Sequence, residues 1–386
     1  MNINFDRSLL IPADEKESFF LWGPRKTGKT SILKSLFPHA LTYDLLNTDV
    51  YTKLIRNPHL LREELRVRPK ENLVIIDEVQ KIPLLLDEVH WLIENTDHRF
   101  GLCGSSPRKL KRGHANLLGG RAFRYELQGL VWPELGDSFE LSRLLNHGYL
   151  PQHYLSEKPQ KFLRSYAGDY LKEEIAAEGL VRNLPAFSEF LEMASFSDTE
   201  MVSYTSFARD CGVSGNTIKE YFSILVDTML GKWLPSYRKR AKRKVSTSPK
   251  FYFSDVGLVS HLSKRGFVDI GSELAGKAFE NWIFHEIDCH RMYSELYYDL
   301  SFWRLTSGIE VDFILGDMEI AVEVKSSQKV RSEHSKSLLQ LKVDHPTIKR
   351  MIIVCTANTK RILDSGVEIM PYKDFLNELW NEDMMK

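Results

Sequence analysis

Three sets of residues in this chain have the types and spacing to do chemistry. The first is Gly23-Pro24-Arg25-Lys26-Thr27-Gly28-Lys29-Thr30, a G-x-x-x-x-G-K-[ST] run followed by Ser31. Its glycines let backbone amides turn inward around a β-phosphate, Lys29 is placed to neutralise β and γ oxygens, and Thr30 offers a hydroxyl to Mg²⁺. The second is Asp77-Glu78, in which Asp77 would hold the magnesium and Glu78 would polarise an attacking water. The third is Asp312 followed by Glu323-Val324-Lys325, with Glu280 upstream. One acid and then Glu-x-Lys is a metal-dependent nuclease arrangement: Asp312 and Glu323 bind Mg²⁺ or Mn²⁺, and Lys325 orients or deprotonates water. Glu280 would complete the shell. The alternative is a Glu323–Lys325 pair on an exposed strand face of a fold that no longer cuts.

These residues need elements to hold them. Ser18 to Trp22 reads as a buried strand entering a Gly-Pro turn, and the apolar spacing after Lys29 reads as a helix, so the glycine run sits between strand and helix. Leu73-Val74-Ile75-Ile76, four aliphatic residues straight before Asp77, fits a strand buried on both faces. Further strands are expected at Ala40 to Leu45 and at Arg99 to Gly104, where Ser105 or Ser106 would contact the γ-phosphate or form a turn. Strands alternating with helices imply a parallel α/β sheet. Arg121, after Gly119-Gly120, is either an arginine finger reaching a neighbouring subunit's nucleotide or a surface ion pair.

A chain of 386 residues exceeds one ordinary core and implies several domains. With 43% apolar and 27% charged residues it is an ordinary globular composition, and no apolar run reaches membrane-spanning length. The N-terminus lacks a secretory signal pattern, which points to the cytoplasm. Cys103, Cys211, Cys289 and Cys355 are far apart in sequence and are expected to be buried free thiols.

The net charge is zero, but Arg238, Lys239, Arg240, Lys242, Arg243 and Lys244 form a dense basic run. It follows a helix, a Gly-Val-Ser turn and a second helix between Ser203 and Leu230, with Ile218, Tyr221, Phe222, Leu225 and Met229 facing inward. These are the proportions of a helix-turn-helix, with the run and Phe251-Tyr252-Phe253 as the wing of a winged helix. The cations would neutralise DNA phosphates, giving salt-sensitive affinity. A packing module with a solvated loop is the other reading.

Taken together, the motifs resemble a bacterial and archaeal family of AAA+ ATPases with a C-terminal domain of unknown function related to restriction endonucleases. The resemblance is carried by residues 23–30, Ile-Ile-Asp-Glu-Val-Gln-Lys-Ile-Pro at 75–83, Gly-Ser-Ser at 104–106 and Gly-Gly-Arg-Ala at 119–122. It continues in Phe279-Glu280-Asn281, Ile-Glu-Val-Asp-Phe at 309–313 and Val-Glu-Val-Lys-Ser-Ser at 322–327. It implies an α/β chain with a P-loop AAA+ core at 1–131, a helical region at 132–200, a winged helix at 201–262 and a restriction-endonuclease-like α/β domain at 263–386. ATP and Mg²⁺ are the implied cofactors and DNA the implied partner, and the leading reading is an ATPase that couples nucleotide state to movement on DNA or its remodelling, with metal-dependent cleavage at the C-terminal acids as a further activity. A homo-oligomer, with a hexameric ring as one form, would give Arg121 its target. A nucleotide-dependent switch that binds a protein partner and carries an inactive nuclease-like scaffold is the competing reading.

Overall fold

The computed structural model describes residues 5–13, 16–68, 73–108, 110, 118–170, 181, 183–238, 247–381 and 384–385. Lys239, Arg240, Lys242, Arg243 and Lys244, five of the six expected DNA-contacting cations, lie outside them. The chain forms two compact units: Leu9–Gly129 with Ile224–Leu230, and Met1–Ser8 with Leu130–Ser223 and Gly231–Lys386. The sequence segments 132–200 and 263–386, with most of 201–262, therefore belong to one unit.

The first unit is built on five parallel strands. They are β1 (Ser18–Trp22), β2 (Leu41–Asp44), β3 (Leu73–Asp77), β4 (Arg99–Gly104) and β5 (Ala122–Glu126), in the order β2-β3-β4-β1-β5. Parallel neighbours need crossovers, which helices α1 (Lys29–Leu36), α2 (Thr48–Arg56), α3 (Leu60–Arg66) and α4 (Leu85–Asn95) help to supply. Phe20, Trp22, Val74, Ile76, Phe100 and Leu102 point from the central strands into one core. Truncating a fully buried ring such as Phe100 to Ala would cost about 3–5 kcal/mol. The order sets the carboxyl ends of β1, β3 and β4 beside one another: Trp22 registers with Gly104, and Asp77 with Cys103.

In the second unit, α5 (Tyr204–Asp210) and α6 (Gly215–Asp227) flank a Gly-containing turn, and β6 (Gly231–Leu234) pairs antiparallel with β7 (Lys250–Phe253). α6 runs past Ser223, so its last turn belongs to the first unit. Ile218, Tyr221 and Phe222 are buried, while Asn216, Lys219 and Glu220 are exposed. Phe222 meets Phe190, Phe207, Trp233 and Phe251 at ring-centroid distances of 4.8 to 5.3 Å, so one aromatic cluster joins the helices to the β6–β7 ribbon.

The C-terminal sheet of this unit contains β8 (Leu300–Arg304), β9 (Glu310–Leu315), β10 (Ile320–Lys325), β11 (Arg350–Cys355), β12 (Arg361–Ile362) and β13 (Glu368–Pro371) in the order β12-β13-β11-β10-β9-β8. β9 and β10 form an antiparallel pair, and β10 and β11 a parallel one. The long helix α7 (Glu273–Tyr293) starts at Ser272, whose side chain accepts from Ala275 N. Its Phe279, Trp282 and Ile283 share a core with Phe313, Val322 and Val324 of the sheet. All four cysteines are free and buried. Among the described residues no helix is long and apolar enough to cross a membrane.

Candidate nucleotide site and acidic cluster

The glycine run occupies the turn between β1 and α1, and its glycines are required there. A Cβ on Gly23 would lie 2.2 Å from the Leu127 carbonyl oxygen, and Gly28 has φ 95°, a conformation that side chains disfavour. Thr27 is buried and its hydroxyl donates to Pro24 O at 2.9 Å, closing the turn. Lys29 is also buried, and its ammonium donates to Gly23 O at 2.7 Å and Pro24 O at 2.9 Å. Burial pushes its pKa down, and nearby Cys103, Glu78 and Asp77 offset only part of that. The Cys103 thiol, fully buried at the same place, is pushed well above its ordinary value by burial. α1 begins at Gly28, with no side-chain cap and no acid in its first turn, so its positive end faces the loop uncapped by any side chain. Arg25, Lys26 and Ser31 are exposed around it.

At the end of β3, Asp77 accepts from the Thr30 hydroxyl at 2.8 Å and from Glu78 N at 3.0 Å. The Thr30–Asp77 contact joins residues 47 positions apart and brings the two predicted metal-holding groups together. Glu78 has φ 60° and ψ 40°, a left-handed backbone that ends the strand. This donor set suits a triphosphate with a divalent cation: an inward-turned loop, a buried ammonium with only carbonyl partners in hydrogen-bond reach, and a hydroxyl beside a carboxylate.

Sequence reasoning missed Gln80. It is buried, and its amide nitrogen donates to Glu78 Oε2 at 2.5 Å and to Ser105 Oγ at 3.1 Å, while its Oε1 has no hydrogen-bond partner. Gly104 leaves room for it, since a Cβ there would lie 2.2 Å from that Oε1. Ser105 is therefore the serine of the pair tied to Glu78. The Ser106 hydroxyl instead donates to Asp227 O at 2.8 Å, and Arg108 pairs with the Asp227 carboxylate at 2.6 Å. Arg121 forms an ion pair with Glu94 of the same chain, both side chains largely exposed. Gln80 lies in the run 75–83 that carries the resemblance, but nothing local gave it a role: its partner Ser105 lies 25 residues on, reached only through the β3–β4 pairing.

The acidic cluster lies at the C-terminal sheet. Asp312 of β9 and Glu323 of β10 follow the Phe313–Val322 pairing, and Asp312 Oδ2 accepts from Val324 N at 2.8 Å. Glu323 accepts from Lys325 Nζ at 2.6 Å and from Ser337 Oγ at 3.0 Å. Burial, then Asp312, pushes Glu323 up to about 8 against the opposing pull of Lys325. Glu280 of α7 accepts from Tyr252 OH at 2.6 Å and from Lys250 Nζ at 3.0 Å. Burial pushes Glu280 up to about 7.

Lys250 had no place in the sequence reading. Its ammonium, 3% exposed, stands 3.0 Å from Glu280, 2.5 Å from Glu310 and 3.8 Å from Asp312. Burial alone would lower its pKa, but Glu280, Asp312 and Glu310 together drive it above the ordinary lysine value. Glu310 also pairs with Arg304 at 2.6 Å. Among the described residues, with Lys250 in place between these acids, no group of three or more His, Cys, Asp or Glu is placed to hold a metal ion. Of the expected basic run, Arg238 is described: it is exposed and donates to Thr247 O at 2.7 Å.

Comparison with known proteins finds three successive matches along the chain, two of which fall largely within the second unit. Residues 15–136 match the family model described as AAA domain, 138–268 a domain of unknown function (DUF8612), and 275–375 a domain of unknown function (DUF4143). Two relatives, uncharacterised proteins of Mycobacterium bovis and Mycobacterium tuberculosis, are each 27% identical over 310 residues. Those matches cover 76% of this chain and 66% of each relative, just under two thirds of the relatives' length. Among solved structures, the Aeropyrum pernix Orc1 protein in complex with DNA aligns with 12% identity and a TM-score of 0.30, covering 66% of this chain and 88% of that one. Can2 of Sulfobacillus thermosulfidooxidans, in complex with cyclic tetra-adenylate, aligns with 9% identity and a TM-score of 0.21, covering 96% and 97%. The chain thus carries an AAA domain, to which the glycine loop and Asp77-Glu78 belong, and a C-terminal DUF4143 domain that holds Glu280, Asp312, Glu323 and Lys325.

Proposed function

We propose that this chain hydrolyses ATP at the loop of residues 23–30 with Asp77 and Glu78, and couples the nucleotide state to DNA. The observation that carries the reading is Lys29, a buried ammonium whose hydrogen-bond partners are the loop carbonyls Gly23 O and Pro24 O, beside a Thr30 hydroxyl already bonded to Asp77. An anionic phosphate is the group that such an ammonium and the uncapped start of α1 would bind most favourably. Thr30 and Asp77 would hold Mg²⁺, which supplies charge neutralisation at the phosphates. Glu78 accepts a proton from, and orients, the attacking water. Gln80, itself bonded to Ser105, holds the Glu78 carboxylate, and Ser105 sits at the strand end where a γ-phosphate would be sensed.

The DNA part of the reading is supported by the α5–turn–α6 pair with Asn216 and Lys219 exposed, the β6–β7 ribbon as a wing, and the basic residues Arg238 to Lys244 of the sequence. A homo-oligomer, a ring in its simplest closed form, would let Arg121 exchange Glu94 for a neighbouring subunit's nucleotide. The direct test is ATP turnover measured with no nucleic acid and with linear, single-stranded and branched DNA. Stimulation by DNA supports the coupling, and indifference to all three sinks it. No turnover and no ATP or ADP uptake by folded protein sinks the ATPase reading itself.

A second reading keeps the nucleotide chemistry but makes the chain a regulatory switch that binds a protein partner. Lys250 favours one element of it, the inert scaffold: an ammonium among Glu280, Glu310 and Asp312 stands where metal-dependent cleavage through Asp312 and Glu323 would need a cation. In both readings we take the C-terminal domain as a restriction-endonuclease-like scaffold that does not cut.

A further inference from the structure

We propose that Lys250 is the resident cation of the acidic cluster, so that the native chain takes up no divalent metal there and loss of this one side chain creates a divalent-metal site. The inference deepens the non-cutting reading of the C-terminal domain and rests on it.

Glu280 from α7 and Glu310 and Asp312 from β9 converge on one buried point, and the group at that point is the Lys250 ammonium. Three carboxylates brought together out of water repel one another and would not stay ionised without a cation among them. Lys250 supplies it from the first position of β7, where its register with Leu234 fixes the backbone. Its Nζ also lies 5.5 Å from the centre of the Phe302 ring, a cation–π contact that adds to the carboxylate pairing. Tyr252, two residues on and on the same face of the strand, donates its hydroxyl to the Glu280 oxygen that Lys250 uses. The remaining cations are already engaged: Arg304 with Glu310, and Lys325 with Glu323.

A hard divalent cation would want these same oxygens at about 2.0–2.6 Å. The ammonium lies within 3.0 Å of Glu280 and Glu310, so metal and ammonium would overlap sterically and repel electrostatically. Occupancy by one excludes the other. Because the lysine is tethered, it competes at an effective concentration that free millimolar Mg²⁺ does not match. Glu323 does not reopen the site, since Lys325 and Ser337 hold its two oxygens.

The test is Mn²⁺ binding by the full chain without nucleotide, followed by loss of the free-ion paramagnetic resonance signal, together with melting curves with and without Mn²⁺. Wild type, Lys250→Ala, Asp312→Asn and the Lys250→Ala/Asp312→Asn double variant are compared. The expected result is no Asp312-dependent uptake by wild type and uptake of about one equivalent by Lys250→Ala. That variant's lowered melting temperature rises with Mn²⁺, and both gains vanish in the double variant. Should Lys250→Ala fail to fold alone, it is refolded with Mn²⁺ present, and recovery of cooperative melting is the supporting outcome. The proposal is overturned if wild type binds Mn²⁺ in a manner that Asp312→Asn abolishes, or if Lys250→Ala neither binds Mn²⁺ nor is stabilised by it. ATP turnover is followed in parallel, so a failure of the nucleotide chemistry leaves the metal result readable.

Discussion

Lys29 and Lys250 are both more than nine-tenths buried, yet they are opposite devices. Lys29 hydrogen-bonds two neutral carbonyl oxygens of its own loop, and its pKa falls because burial outweighs the carboxylates nearby. Lys250 is enclosed by carboxylates from two other elements, and its pKa rises despite burial. One ammonium meets only carbonyl oxygens of its loop, which on the proposed reading leaves its charge for a phosphate; the other is matched by carboxylates from within. The difference teaches that a buried cation marks a ligand site only when its counter-charge is not already part of the fold.

The sharpest way to break the contrast is to remove each lysine in turn. Lys29→Ala should drop ATP turnover to background and abolish nucleotide uptake by calorimetry, with melting temperature nearly unchanged, because carbonyls left behind can turn to water. Next in size, Glu78→Gln should lower turnover by about 10²–10⁴-fold while leaving ATP affinity near normal, which steady-state kinetics and titration separate. Lys250→Ala should leave ATP affinity untouched and cost about 3–5 kcal/mol of stability by denaturant unfolding, the penalty of unpaired buried charge. If Lys250→Ala is as stable as wild type, the matched-charge account of that cluster fails. Gln80→Ala should lower kcat by about 10-fold with KM unchanged, since it orients Glu78 and is placed on no phosphate. A change in KM alone would instead put Gln80 in binding.

The smallest effect concerns pH. Glu323 has a folded pKa pushed up to about 8, above the ordinary carboxylate value, so the folded state binds a proton more tightly than the unfolded chain. Its contribution to stability is full below the unfolded pKa and is lost as pH rises through about 8. Glu323→Gln should therefore gain melting temperature relative to wild type as pH rises across that window, since a Gln can still accept from Lys325 and meet Ser337. A flat difference would show that Glu323 titrates normally.

Much of the first unit is legible in sequence because its signals are local. The strand, glycine turn and helix of 18–36 and the aliphatic run before Asp77 each declare themselves within a few residues. β5 was not anticipated: Ala122–Glu126 is a half-exposed edge strand, and only its parallel pairing with β1 makes it one. The inclusion of Ile224–Leu230 with Leu9–Gly129 has no local signature either. At the C-terminal end, Asp312, Glu323 and Lys325 stand out as charges in apolar strands. Lys250 does not, because it follows a run of lysines and arginines and its meaning comes from partners 30 and more residues away. Spacing revealed the acids; only three-dimensional placement revealed what neutralises them.

Glu78 sits in a left-handed conformation that costs a residue with a Cβ about 1–2 kcal/mol. Glycine would occupy that position without strain, so if Glu78 does the proposed work on water, the most robust residue at 78 is not the working one. A screen of this protein for heat resistance alone would be expected to enrich Glu78→Gly and to recover well-folded molecules that no longer turn over. Robustness and work pull against each other at a single backbone torsion.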